Sequence, residues 1–233
     1  MRGLEELFDP AIRIATGDPR GDWAGPLPAE EPALRGASPT RRREFLGGRA
    51  LARQAMQALG LPAAAIPAGP DRAPLWPEGM TGSISHCADL CVVAVARLAD
   101  GFVSLGLDIE PDEALDPDLV PEICGLAERA WLASLPAERQ GVLARAVFSA
   151  KESAYKCQYP LSRQLLDFQA LDIEIDPAES RFTARFTVDA APFRAGDSLH
   201  GRLAIADGHI ATATMLGHRD IAARPEWLAG SLS

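Results

Sequence analysis

The strongest constraint on the fold is an order of elements that occurs twice. A helix is predicted over residues 39–59, where Ser38 suits the N-cap, Pro39 the first helical position and Gly60 the stop. Phe45, Leu51, Ala52, Ala55, Met56 and Leu59 recur near the i, i+3, i+4 spacing of a buried helical face. Strand-like runs follow: "TGSISHC", then "LCVVAVARL" at 90–98 and "GFVSLGLDIEP" at 101–111, the last two joined by a tight turn at Asp100-Gly101. After a short helix at 126–134, a longer one is predicted over about 138–158. Four more strand-like runs fill 167–216, with turns at Pro177, Gly196 and Asp207-Gly208. Helix then strands, repeated, predicts an α+β fold of two similar halves, residues 1–104 and 105–233. A pseudo-two-fold duplication would relate them and place the functional site at their interface. Residues 1–38 are rich in Pro, Gly, Asp and Glu without a lasting period, and read as an irregular leader, loose or packed against the rest.

Composition narrows the function classes. A net charge of −9 argues against non-specific nucleic-acid binding. No apolar run approaches the roughly 18 residues of a membrane span. The start, "MRGLEELFDP", is charged and broken by Pro10, unlike a signal peptide. A cytoplasmic protein with no membrane partner is expected. Cys87, Cys91, Cys124 and Cys157 form no CxxC pair and have no His or Cys at zinc spacing, so all four read as reduced thiols.

The segment "FSAKESAYKCQYP" (148–160) holds Lys151 and Lys156, the chain's only lysines; the other 21 of its 23 basic residues are arginine. Glu152 and Lys156 are i, i+4 on a helix, a pairing that Arg would serve nearly as well. A compact ammonium on a flexible stem suits a point contact to phosphate in a crowded site. In "GLDIE", Asp108 and Glu110 share one face of a strand, about 7 Å apart. They fit either a divalent ion such as Mg²⁺ or a solvated strand end. In "SISH", His86 is a catalytic candidate or an ordinary hydrogen-bonded histidine, and Ser83 and Ser85 could bind phosphate. Arg41, Arg42, Arg43, Arg49 and Arg53 crowd the first helix, as a solvated face or a phosphate-binding strip.

Taken together, "GSISHC", "SLGLDIEP" and "FSAKESAYK" follow one another at about 20 and 40 residues. In that order they resemble the 4′-phosphopantetheinyl transferases of the siderophore-synthetase type. "RRREFLGGRALARQAM" and "PLWPEGMTGSISH" resemble upstream segments of the same group, so the likeness covers about 39–160. It implies two similar α+β halves with coenzyme A between them. It also implies Mg²⁺-dependent transfer of the 4′-phosphopantetheine arm of coenzyme A to a serine of an apo acyl or peptidyl carrier protein. Adenosine 3′,5′-bisphosphate would be released, and the enzyme would act as a monomer. By motif, Asp108, Glu110 and Glu152 would hold Mg²⁺, and Glu152 or a water it positions would be the base. Lys156 and His86 would meet the pyrophosphate, and Lys151 would assist the leaving group. Arg41 and Arg49 would contact the adenosine and its 3′-phosphate, with Ser85 beside that phosphate. Many relatives carry a lysine in the loop before "WP"; here Arg72 is the only cation in "IPAGPDRAPLWP". The rival readings are a non-catalytic carrier-binding relative and another Mg²⁺-dependent pyrophosphate-cleaving enzyme.

Overall fold

A computed structural model describes Met1 and residues 3–224; residues 225–233 of the expected C-terminal half lie outside the described residues. In chain order the elements are β1 (Arg13–Gly17), α1 (Pro39–Ala58), β2 (Met80–His86), β3 (Cys91–Arg97), β4 (Phe102–Pro111), a short α2 (Val120–Ile123), α3 (Leu126–Ala133), α4 (Ala137–Ser162), β5 (Leu171–Asp176), β6 (Arg181–Phe186), β7 (Ser198–Ala206), β8 (His209–Gly217) and α5 (His218–Ala222). They form an α+β fold with two antiparallel sheets, one of order β1-β3-β2 and one of order β4-β8-β7-β6-β5.

The local signals explain most of these elements. Ser38 Oγ accepts from the Arg41 amide at 3.2 Å and caps α1. Leu51, Ala52, Ala55 and Met56 then form one apolar face, packed with Cys91, Val93 and Val95 of β3. At Asp207-Gly208 both residues take positive φ, 51° and 79°, which suits the tight β7–β8 hairpin.

One expectation is narrowed and two are corrected. First, the leader is packed and contains a strand: β1 pairs with β3 from Arg13↔Val95 to Gly17↔Cys91, and Leu4, Leu7, Phe8 and Ile12 are buried with Leu105, Leu107 and Ile109. Second, Asp100-Gly101 does not close a hairpin. Gly101 turns the chain at φ 95°, but β3 and β4 lie in different sheets. Third, α4 runs through Pro160 to Ser162, since a proline in the last turn removes only one late hydrogen bond.

Side chains join the two sheets where β2 meets β4. Ser83 Oγ accepts from the Leu107 amide at 3.0 Å, and Ser85 Oγ from the Ile109 amide at 3.4 Å. Helix α4 lies against β4 itself. A Cβ on Gly106 would fall 1.8 Å from the Ser153 carbonyl oxygen and 2.8 Å from the Cys157 nitrogen. Ser104 Oγ donates to the Cys157 carbonyl at 2.6 Å, while the Ser149 and Thr212 hydroxyls meet at 2.9 Å. These hydroxyls satisfy polar groups that the close approach of helix and strand removes from water. Gly106→Ala must therefore push α4 off β4. It is expected to cost about 3 kcal/mol, on the order of 10 °C in Tm by thermal unfolding.

Candidate active site

Asp108 is the centre of the site. It lies on β4, 3% exposed, under the α4 side chains that Gly106 allows close to the strand. Its Oδ1 accepts from Lys156 Nζ at 2.6 Å and from Ser85 Oγ at 2.8 Å. Lys156 Nζ also lies 3.2 Å from Ser85 Oγ and 3.8 Å from Glu152 Oε2, one helical turn earlier. The structure thus joins β2, β4 and α4 through Ser85, Asp108 and Lys156. Asp108 Oδ2 is buried without a hydrogen-bond partner. A buried carboxylate oxygen without a partner is costly, and marks a place for a ligand.

Burial sets the protonation balance of these groups. It pulls the Lys156 ammonium down, but Asp108 and Glu152 more than offset it, so its pKa is raised overall and the lysine is charged. Burial raises Glu152 above the usual carboxylate range; Lys156 opposes this and Asp108 reinforces it. Glu110 is raised by burial and by Asp108, while Arg145 pulls it back. Arg145 reaches Glu110 Oε2 at 2.9 Å and donates to the Glu113 and Ala114 carbonyls at 2.8 and 2.9 Å. The sequence reading missed Arg145. Its signal was available: it lies seven residues before Glu152, on the same helical face.

His86 ends β2 and faces the start of α1. Its Nε2 is 3.4 Å from an Arg41 nitrogen and 3.7 Å from Glu44 Oε2, so Glu44 is a second residue that sequence reasoning missed. Arg72 is exposed at positive φ, 67°, in the loop before β2. With Trp76, Tyr155, Lys156 and Tyr159 it lines a groove of about 500 Å³, and the Tyr159 hydroxyl is tied to Asp71 at 2.6 Å.

Two of the expected residues are buried among protein partners. Lys151 is 1% exposed and does not face Asp108. Its ammonium pairs with Glu128 Oε2 at 2.8 Å and donates to the Ile123 and Phe168 carbonyls at 2.8 and 2.7 Å. Three acceptors match the three ammonium donors, which a planar guanidinium could not satisfy from one point. Glu128 in turn accepts from the Gly125 amide at 2.6 Å and the Ile173 amide at 2.7 Å. Lys151 thus fastens α4 to the chain around α2, α3 and β5. Arg49 is 6% exposed, with Nε on the Ile66 carbonyl at 2.8 Å and its guanidinium 4.2 Å from the Phe45 ring centre. Burial lowers its pKa to about 10. Beside it the fully buried Glu30 binds Arg53 at 2.7 Å and the Ile66 amide at 3.0 Å. Arg49 therefore holds the loop after α1 through its Nε.

Lys151→Ala leaves the Glu128 carboxylate buried beside lost cation and donors. It should cost about 3–5 kcal/mol in chemical denaturation. His86 gives a pH signature. Burial lowers its pKa from the ordinary 6.5; Glu44 opposes the shift and Arg41 adds to it. The folded state therefore prefers neutral imidazole. That contribution is complete above the ordinary value and lost as pH falls through the lowered one. Between about pH 7.5 and about pH 5, the wild type should lose more Tm than His86→Gln.

The family model for the 4′-phosphopantetheinyl transferase N-terminal domain matches residues 29–96, and that for the 4′-phosphopantetheinyl transferase superfamily matches residues 104–213. 4′-Phosphopantetheinyl transferase Svp of Streptomyces mobaraensis is 40% identical over 191 residues, covering 80% of this chain and 77% of the relative. PptT, the 4′-phosphopantetheinyl transferase of Mycobacterium tuberculosis, is 34% identical over 202 residues, 82% of this chain and 86% of its own. Enterobactin synthase component D of Escherichia coli is 34% identical over 142 residues, 59% and 65% of the two chains.

Proposed function

The chain belongs to the 4′-phosphopantetheinyl transferase superfamily, and from that premise we propose that it moves the phosphopantetheine arm of coenzyme A onto a serine of an apo acyl or peptidyl carrier protein. Adenosine 3′,5′-bisphosphate would be the second product. The observation that carries the reading is Asp108. Its one saturated and one unpartnered oxygen stand beside Lys156 and Glu152, at the edge of a groove that two tyrosines, a tryptophan and Arg72 line.

The donor set fits a hard divalent ion. Asp108 Oδ2 is a buried oxygen without a partner, and Glu110 and Glu152 offer further carboxylates with pKa values raised by burial, as crowded acids without a neutralising ion would have. Asp108, Glu110 and Glu152 would hold Mg²⁺. When bound, it would neutralise the non-bridging oxygens of the pyrophosphate.

The chain's own residues do the rest. Lys156, fixed by Asp108 and Ser85, presents its ammonium to a phosphate oxygen without searching for it. Glu152, raised by burial, is suited to take the proton from the attacking serine hydroxyl. Ser85 spends its proton on Asp108, so it positions the carboxylate and the lysine more than it contacts phosphate. His86 and Arg41 stand together at the α1 end of the site, where they can meet the phosphates, and Arg72, on the groove, would take the place of the loop lysine. Arg49 and Lys151 support the walls. The halves meeting near residue 104 would each supply part of the site.

Incubation with coenzyme A, Mg²⁺ and an apo carrier protein should add the mass of the phosphopantetheine arm to the carrier. Lys156→Arg keeps the charge and the i, i+4 pair, but its larger planar head displaces whatever the ammonium touches. We expect a fall in kcat/KM on the order of 100-fold, with Tm nearly unchanged. Near-wild-type kinetics would detach Lys156 from the chemistry.

A further inference from the structure

The transferase reading leaves one cluster of side chains unused. Cys87 follows directly on β2, Asp89 lies in the turn to β3, and His209 opens β8 at the tip of the β7–β8 hairpin. Among the described residues, these three are the one group of His, Cys, Asp or Glu whose ligand atoms all lie within 4.8 Å of one another. Asp89 Oδ1 is 3.1 Å from His209 Nε2 and 3.4 Å from Cys87 Sγ.

The histidine's other nitrogen makes the geometry informative. His209 Nδ1 lies 2.9 Å from the Asp207 carbonyl oxygen, which can only accept, so Nδ1 carries a proton and donates it. In the neutral ring, Nε2 then aims a lone pair at the Asp89 carboxylate. Two acceptors at that distance require a cation, either a second proton on the ring or a metal ion. A backbone carbonyl on the far ring nitrogen is also how metal-binding histidines are usually oriented. The thiol decides between metals. Sulfur, imidazole nitrogen and one carboxylate form a borderline set that suits zinc, whereas magnesium takes oxygen. Zinc bonds of about 2.3 Å to sulfur and about 2.0–2.1 Å to nitrogen and oxygen give tetrahedral edges of about 3.5 Å between S and O and about 3.3 Å between N and O. The observed 3.4 and 3.1 Å lie within about 0.2 Å of these.

We propose that Cys87, Asp89 and His209 form a site for a zinc-class divalent transition-metal ion, with three protein ligands and the fourth position open to water. On binding, the Cys87 thiol releases its proton to solvent and His209 coordinates through Nε2. The ligands come from both sheets. His209 pairs with Pro111 at the end of β4, one residue past Glu110. A bound ion would therefore clip the β2–β3 turn to the β7–β8 hairpin, beside the strand end that carries the transferase carboxylates.

The test uses the full chain, stripped with EDTA and titrated with Co²⁺ as a spectroscopic stand-in for zinc. One equivalent should produce a thiolate-to-cobalt charge-transfer band, displaced by Zn²⁺. The band should be lost in Cys87→Ser and in His209→Gln, and kept in Asp108→Asn, which disables the transferase site. Zn²⁺ at about a hundredfold excess over its Kd should raise the wild-type Tm by roughly 5–10 °C and leave Cys87→Ser unmoved. Bound Zn²⁺ should also protect Cys87 from alkylation in the folded wild type, a measurement that needs no variant. Cys87 is the half-buried thiol; the other three are buried. The absence of any thiolate band would overturn the proposal, leaving His209 as a hydrogen-bonded partner of Asp89. So would a band that survives both ligand variants, or one that disappears with Asp108→Asn.

Discussion

The approach of α4 to β4 at Gly106 governs everything the site can do. A side chain there would overlap the helix backbone at Ser153, so the helix comes down on a strand position without a Cβ. Asp108 is two residues further along β4, and so on the same face as Gly106; Lys156 is one turn beyond Glu152. The close approach is what allows a short 2.6 Å contact between a strand aspartate and a helix lysine that would otherwise be separated by a full side-chain layer. The buried serines and threonines along the same seam follow from it. At that distance helix carbonyls and strand side chains have no room for water, so hydroxyls must satisfy them.

The two lysines show how one residue type can be kept for two reasons. Lys156 stands at the groove, its ammonium shared between Asp108, Ser85 and Glu152. Lys151, five residues earlier, points away from the site and satisfies a carboxylate and two carbonyls in the core. In both cases several acceptors converge on one ammonium, a geometry that suits a compact tetrahedral donor better than a planar fork. In a chain that otherwise uses arginine, sequence composition registers that shared demand. It does not register which lysine faces the groove.

Much of the fold was legible because its signals are local. The cap at Ser38, the periodic face of α1, the alternation in β4 and the Asp207-Gly208 turn are each read from a few neighbouring residues. The misses depend on partners far along the chain. β1 is five residues in a segment rich in turn formers, and becomes a strand because β3 offers it an edge. Asp100-Gly101 looks like a hairpin turn, and nothing nearby reveals that β3 and β4 pair with different neighbours. The core of the site was legible through motif spacing, which brought Asp108, Glu152 and Lys156 forward together. The hold of Arg49 on Ile66 and Phe45 was not legible, because burial is a tertiary fact. The nearness of Cys87 to His209 was hidden in the same way, since the two are 122 residues apart in sequence.

The pairing of cations with carboxylates bears on how the site could accept a divalent ion without coming apart. Lys156 uses only Oδ1 of Asp108, and Ser85 uses the same oxygen. Oδ2 is left over, so an ion could take it while the lysine stays in place. Glu110 is held by Arg145 through a single oxygen, and Arg145 has two backbone carbonyls of its own. If Glu110 turned one oxygen toward an ion, the guanidinium would still be anchored. Glu152 has the loosest tie, 3.8 Å to Lys156, and the freest choice of direction. Each acid thus keeps an oxygen in reserve, and each cation has a second hold. In such an arrangement a bound ion would join the charge network and lower the raised carboxylate pKa values, without displacing the lysine from Asp108 and Ser85.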